Sequence, residues 1–385
     1  MKKFCAVCGH TLFAESLLTL DNMPRDAQGF FDYRDVLNNC SITLSIMQCG
    51  GCGLVQLDAE PVAYYKEVIR ASAFSQSMGE FRARQLRAWV NGLPLGRSSK
   101  VLEIGCGRGE YLEILENMGV SCHGIEYAQS SVESCRLKGL RADVGYLDGI
   151  SVPVNIGPFD AFASFNFMEH WPDPNATLSE LHKLLKPNAH GLIEVPNFDM
   201  ILKSGMFSEF IPDHLFYYTE DTLRFTLQKN GFKVISVESL WQDYILSAQV
   251  VQREKLNFDN FNNNKLLLIR QLQEFVENHK EKSIAIWGAG HQALAMISMA
   301  ELSSNITYVV DSAPFKQGKY TPATNLPVVS PEMLISHPVD SIVIMGAGYS
   351  DEIYKIIRTK YQYIQNIAIL RDHHLEIKTS LNGSI

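Results

Sequence analysis

Three groups of residues in this 385-residue chain have types and spacings that chemistry can use. Two Cys-x-x-Cys pairs, Cys5 with Cys8 and Cys49 with Cys52, each precede a glycine, Gly9 or Gly53. Four thiolates in two short turns satisfy tetrahedral Zn²⁺ and leave no open position, so the expected metal site is structural. Cys40 falls outside that pattern and reads as a core residue. A glycine-rich turn, Glu103-x-Gly105-Cys106-Gly107-x-Gly109, follows an apolar run and precedes an amphipathic one. Glycines there let the backbone turn sharply and approach a ligand without Cβ clashes. Finally, Asp213 and His214 stand before Phe216-Tyr217-Tyr218. An imidazole with an ordinary pKa of about 6.5 suits a general base, and an adjacent carboxylate suits the group that orients it.

The elements that must hold these residues follow from the pattern. Residues 1–60 read as a zinc-binding module, with DYRDVL irregular and SITLSIMQC a strand. Residues 61–256 open with helical segments around Tyr64 to Gly92, then KVLEI as strand and EYLEILENMG as helix. VSCHGIEYA forms the next strand, closing on Glu126, and Ser130 or Ser131 is expected to cap the helix SVESCRLKG. FDAFASFNFMEHW, LHKLLKPNAHGLIEVPN and GFKVISVESL supply further strands and helices. Alternating strands and helices predict a doubly wound α/β sheet with ligands at the carboxyl ends of its strands. The Asn-rich stretch 257–264 reads as a linker. Residues 265–385 then repeat the strand-glycine-helix logic over about four short strands, a smaller Rossmann-like α/β domain.

The first glycine turn departs from the dinucleotide fingerprint, because its third glycine comes one residue early. Glu126 ends the next strand, where an acidic residue accepts hydrogen bonds from ribose hydroxyls, with Tyr127 beside it. Asp143 and Val144, with Gly145, are placed to edge an adenine, while Phe165 and Asn166 end the fourth strand near the cofactor's reactive end. Together these residues resemble the S-adenosylmethionine site of a class I methyltransferase. Cys106 is also readable as a small core residue, and Glu169 and His170 as structural loop contacts.

Composition bounds the alternatives. Hydrophobic residues make up 46% and charged residues 20%, ordinary for a globular chain. A net charge of −8 offers no general basic surface for nucleic acid. No apolar run reaches the length of a signal peptide or membrane span, which predicts a cytoplasmic protein without a membrane partner. A monomer or dimer is expected.

The order of parts resembles the sugar C-methyltransferases of deoxysugar biosynthesis: two CxxC pairs, a methyltransferase core, EVP followed by an acid-His-aromatic stretch, and YVVDSAPFKQGKYTPATNLPVV from Tyr308 to Val329. The resemblance implies zinc in the N-terminal module. It also implies a nucleotide-linked 4-keto-deoxyhexose methylated at carbon, held by the methyltransferase and C-terminal regions. It assigns proton transfer to a Tyr-x-Glu-His stretch, which here reads Ile211-Pro212-Asp213-His214. The tyrosine is missing, so Tyr217 or Tyr218 is expected to stabilise the enolate oxygen, and Asn197 to contact substrate. With the tyrosine absent, O-methylation of a sugar also fits. Gly288-Ala-Gly290-His291-Gln-Ala293 matches G-x-G-x-x-A, with Asp311 ending the following strand. That pattern predicts either a nicotinamide dinucleotide or a cradle for the substrate's diphosphate. Gly290, His291, Lys316 and Tyr320 are the residues expected to reach the diphosphate.

Overall fold

The computed structural model describes residues 2–25, 27, 41–66, 75–153 and 156–378. Cys40, the DYRDVL stretch and part of the helical lead-in, residues 67–74, lie outside them. The chain divides into two compact units, Met1–Glu254 and Lys255–Ile385.

The first unit contains two sheets. A small antiparallel sheet has the order β1 (Leu18–Met23), β2 (Ile42–Gln48), β3 (Val55–Leu57) and β9 (Phe216–Tyr217). Its last strand comes from the far side of the larger fold, with Val55 paired to Tyr217. The large sheet contains β4 (Lys100–Ile104), β5 (Ser121–Glu126), β6 (Ala142–Val144), β7 (Phe159–Phe165), β8 (Leu185–Pro196), β10 (Phe232–Leu240) and β11 (Ile245–Gln252). Their spatial order is β10-β11-β8-β7-β4-β5-β6. The β6-to-β8 stretch is parallel, and β11 joins β8 and β10 antiparallel. Central strands such as KVLEI are apolar on both faces because both faces are covered. Along β4, Val101 enters one core cluster while Leu102 and Ile104 enter the other, as alternating side chains must.

Six helices accompany these strands: α1 (Gln76–Asn91), α2 (Glu110–Glu116), α3 (Gln129–Leu137), α4 (Pro174–Lys183), α5 (Phe198–Lys203) and α6 (Glu220–Lys229). A buried ion pair from Arg82 to Glu194 on β8 anchors α1 to the sheet, with Gln85 and Ser247 also bonded to Glu194. The expected serine cap of α3 is not formed. Ala128 is the N-cap, and Glu126 Oε1 accepts from its N–H at 3.0 Å, while Ser130 and Ser131 lie inside the first turn.

In the second unit α7 (Asp259–Glu277) precedes β12 (Ile284–Trp287), α8 (His291–Met299), β13 (Tyr308–Val310), β14 (Val328–Val329), α9 (Met333–Ser336), β15 (Ser341–Ile344), α10 (Ser350–Lys360), β16 (Asn366–Leu370) and β17 (Leu375–Lys378). The sheet order is β14-β13-β12-β15-β16-β17, six strands where about four were expected. Two-residue β14 and antiparallel edge strand β17 are the additions. The expected linker is corrected too, since α7 already begins at Asp259. Its Asn-rich first turns are exposed, and its buried residues Leu268, Leu272, Phe275 and Val276 lie further on. Once packing fixes those later turns, each added residue extends a helix already nucleated, and the weak propensity of Asn is overridden.

Candidate active site and metal centre

The glycine turn after β4 is built as its sequence requires. Gly105, Gly107 and Gly109 have φ of 71°, 53° and 83°. A Cβ on Gly105 would lie 2.6 Å from the Phe167 ring, and one on Gly109 would lie 2.7 Å from Leu140. Glu126, nearly buried at the end of β5, accepts from Gly107 N–H through Oε2 at 3.0 Å. A cleft at this edge is lined by Gly105, Glu126, Tyr127, Gly145, Tyr146 and Phe167, with Trp171 and Thr177 deeper. A backbone cradle, a ribose-type acid and aromatic walls fit an adenosyl sulfonium cofactor. Sequence reasoning missed Tyr146, Phe167, Trp171 and Thr177, although the FNFMEHW run directly after the β7 strand was a usable signal.

Other predicted cofactor residues sit around this cleft in different roles. Glu103 is buried within β4, and Cys106 is buried under the turn, its sulfur against Gly124. The Asp143 carboxylate is taken by His123 at 2.9 Å and Arg136 at 3.1 Å, and half-exposed Val144 ends β6. Phe165 packs edge-on against Tyr111 at 4.8 Å, and exposed Asn166 has φ 46° at the end of β7.

Past β7, a 3₁₀ turn at Met168–His170 meets the His214 loop. His170 Nδ1 bonds the Asp213 carbonyl at 2.7 Å, and the two imidazole centroids are 4.7 Å apart. His170 also stacks beside Phe167, at 6.3 Å. Burial lowers the His170 pKa to about 4 and raises that of Glu169 to about 8. Burial and the neighbouring His170 hold half-buried His214 well below the usual imidazole value. Its ring nitrogens have no hydrogen-bond partner among the described residues, so they are open to a ligand.

Three expected partners of His214 are corrected by geometry. The Asp213 carboxylate turns away from the ring and accepts from Tyr64 Oη at 2.7 Å and Ala27 N–H at 2.8 Å. Tyr217 Oη accepts from Ile211 N–H at 3.0 Å, so its hydroxyl closes the loop instead of facing a substrate. The Tyr218 hydroxyl is fully buried, with no partner among the described residues. Asn197 is likewise structural: its side chain caps α5 through Asp199 and Met200 N–H and donates to the Asp243 carbonyl at 2.7 Å.

The four cysteines converge. Sγ atoms are 3.7 Å apart for Cys5–Cys52 and 3.4 Å for Cys8–Cys49, close to the ~3.8 Å that a tetrahedron with Zn–S of about 2.3 Å requires. Backbone N–H groups of Cys8, His10, Gly51 and Cys52 point at these sulfurs. Burial pushes the Cys5 thiol up to about 11, so a set of thiolates here calls for a compensating cation. The donor set fits zinc. Asn175 at the start of α4 ties the first knuckle down through Ala6 and Val7 carbonyls, both at 2.9 Å.

In the second unit, Gly288 is required by packing, since a Cβ would collide with the Met345 carbonyl. Gly290, before exposed His291 at the start of α8, has open space in front of it and an ordinary φ of −88°. A second Gly-Ala-Gly turn, Gly346–Gly348, follows the adjacent strand β15, and a Cβ on Gly348 would also meet nothing. Sequence reasoning quoted that turn only as part of a strand. The Asp311 carboxylate accepts from Ala289 N–H, Ala313 N–H and Lys316 at 2.8–2.9 Å. Three donors leave it little capacity for a dinucleotide ribose. Tyr320 is exposed on the loop that follows.

A seven-stranded sheet with one antiparallel strand inserted, the glycine turn after its central strand and an acid ending the next define a class I S-adenosylmethionine-dependent methyltransferase. Residues 78–237 match the methyltransferase domain family and residues 248–366 match the C-methyltransferase C-terminal domain. With these two domains in succession, the chain belongs to the C-methyltransferases. It is 21% identical over 394 residues to C-methyltransferase NovU of Streptomyces niveus, covering 94% of this chain and 93% of that protein. It is 27% identical over 147 residues to the ubiquinone biosynthesis O-methyltransferase of Acinetobacter baylyi, 35% of this chain and 62% of that protein. Among solved structures it is similar to magnesium protoporphyrin IX methyltransferase of Synechocystis, with TM-score 0.37, 18% identity, and coverage of 49% of this chain and 91% of that one. No helix among the described residues is long and apolar enough to cross a membrane.

Proposed function

We propose that this protein methylates a carbon next to a ketone on a nucleotide-linked sugar, through an enolate, with His214 as base. The observation that carries the reading is the His214 ring itself. It has unpartnered nitrogens and packs on His170, which packs on Phe167 in the wall of the cofactor cleft. S-adenosylmethionine, when bound, supplies an electrophilic methyl group. Gly105, Gly107 and Glu126 are the residues proposed to hold it. His214 takes the proton from the carbon, and positioning a base in this way is worth about 10²–10⁴-fold. Burial keeps His214 neutral, so its lone pair is available at working pH.

Likeness to a C-methyltransferase along nearly the whole chain supports carbon over oxygen. For the nucleotide, support comes from the open glycines of the second unit. Gly290 and Gly348 leave room in front of backbone N–H groups, His291 adds a donor, and Lys316 and Tyr320 stand on the neighbouring loop. A structural Zn²⁺ on Cys5, Cys8, Cys49 and Cys52 completes the proposal.

The test is mass spectrometry after incubation with S-adenosylmethionine and a panel of nucleotide 4-keto-sugars in D₂O. A gain of one methyl on a ketosugar, with deuterium entering beside the ketone, is expected. Methyl gain only on finished sugars bearing hydroxyls would replace this reading with O-methylation.

A further inference from the structure

Asp213 is bound elsewhere, and the carboxylate that faces His214 belongs to Glu169. One oxygen of Glu169, one nitrogen of His170 and one nitrogen of His214 all lie within 4.8 Å of one another. His170 gives its Nδ1–H to the Asp213 carbonyl, so its Nε2 carries the lone pair, 3.9 Å from Glu169 Oε1. Glu169 is 1% exposed, and its Oε2 has no hydrogen-bond partner among the described residues. An unmet buried acceptor costs on the order of 1–3 kcal/mol. Such a group in a folded protein calls for a reason, and function is one.

We infer that Glu169 is the positioning residue of the base: ionised, it accepts the N–H of His214 on the side away from substrate and balances the imidazolium that proton abstraction creates. The inference rests on the enolate reaction proposed above. In that step the C–H electron pair passes into the enolate, and the proton goes to the free nitrogen of His214. The positive charge then stands beside the Glu169 carboxylate, not alone in a buried site beside His170. The proton leaves to solvent as product is released.

The other titratable groups around the cluster are committed or neutral. Glu194 on β8 is paired with Arg82, Glu209 accepts from Tyr244, and Asp213 is held by Tyr64 and Ala27. Tyr217 and Tyr218 are kept protonated by burial. The two imidazoles are thus the partners to which Glu169 responds. Since burial places Glu169 near 8, its ionised fraction grows through neutrality, and proton abstraction should quicken as pH rises toward 8.

Deuterium uptake beside the ketone of a nucleoside-diphosphate 4-keto-6-deoxyhexose, measured with S-adenosylhomocysteine present, isolates proton abstraction from methyl transfer. Wild-type exchange should rise with pH toward about 8. Glu169→Gln should slow it on the order of 10²-fold and flatten the profile, while Glu169→Asp restores part of the rate. Affinity for S-adenosylmethionine, read by calorimetry, should stay within a few-fold in both variants. Exchange by Glu169→Gln at the wild-type rate and with the wild-type profile would overturn the inference and leave the enolate reaction standing. A flat wild-type profile from pH 6 to 9 would overturn it without any variant. No wild-type exchange at all would sink the enolate reaction and this inference with it. Metal analysis finding a second divalent ion per chain, lost in Glu169→Gln, would assign the cluster to a cation and overturn it as well.

Discussion

Burial acts in opposite senses on the neighbours Glu169 and His170, and the difference is measurable. His170 titrates near 6.5 when unfolded and about 4 when folded, so across that range the unfolded chain binds the extra proton and acidification costs stability. Glu169 moves from 4.5 to about 8, so the folded protein binds the extra proton, and that stability is lost as pH rises through 8. Between about 4.5 and 6.5 the two slopes oppose each other. From 6.5 to 8 the Glu169 contribution acts alone. Urea denaturation should therefore show the midpoint falling over that upper range in wild type, and the Glu169 part of the fall should vanish in Glu169→Gln. An unchanged fall in the variant would show that Glu169 is not the group responsible. Residues of this kind are hard to read in a sequence. Asp213 adjoins His214 in the chain, yet peptide geometry sends its carboxylate to Tyr64, whereas Glu169 reaches the ring from a separate turn.

Strands and helices were more legible than side-chain partners, because apolar period and glycine placement are local while contacts are not. KVLEI, the turn after it and the amphipathic run beyond became β4, the cradle and α2 as expected. Two short strands, β9 and β14, escaped notice since two residues carry no period, and the Asn-rich start of α7 was overridden by packing further along. The link between α1 and β8 was also invisible, as nothing in EFRARQLRAWV marks Arg82 as the arginine that turns inward. Arg82 and Glu194 are both essentially buried. Removing one partner of such a pair costs about 3–5 kcal/mol, because the other is left charged without compensation. Arg82→Met should therefore destabilise by that amount, while Arg82→Met with Glu194→Gln should recover much of it. Thermal denaturation of the single and double variants tests this, and equal losses in both would refute the buried-charge account.

Across the whole molecule, the division at Glu254–Lys255 coincides with an exposed stretch carrying Arg253 and Lys255. Each unit has its own apolar clusters. Brief trypsin treatment should cut first in this stretch and leave two protease-resistant fragments, visible by intact-mass spectrometry. First cuts elsewhere within the described secondary structure would contradict the division. The small N-terminal sheet has a different dependence, because β3 waits for β9 from much later in the chain, with Leu57 N–H also bonded to the Leu215 carbonyl. During synthesis the cysteine knuckles emerge first and can capture their ion while the strand that completes their sheet has yet to be made. Such non-local pairing carries a loop-closure cost before any contact rewards it. The segment bearing His214 would then be drawn into place late, so a nascent chain would acquire its metal well before it could acquire its base.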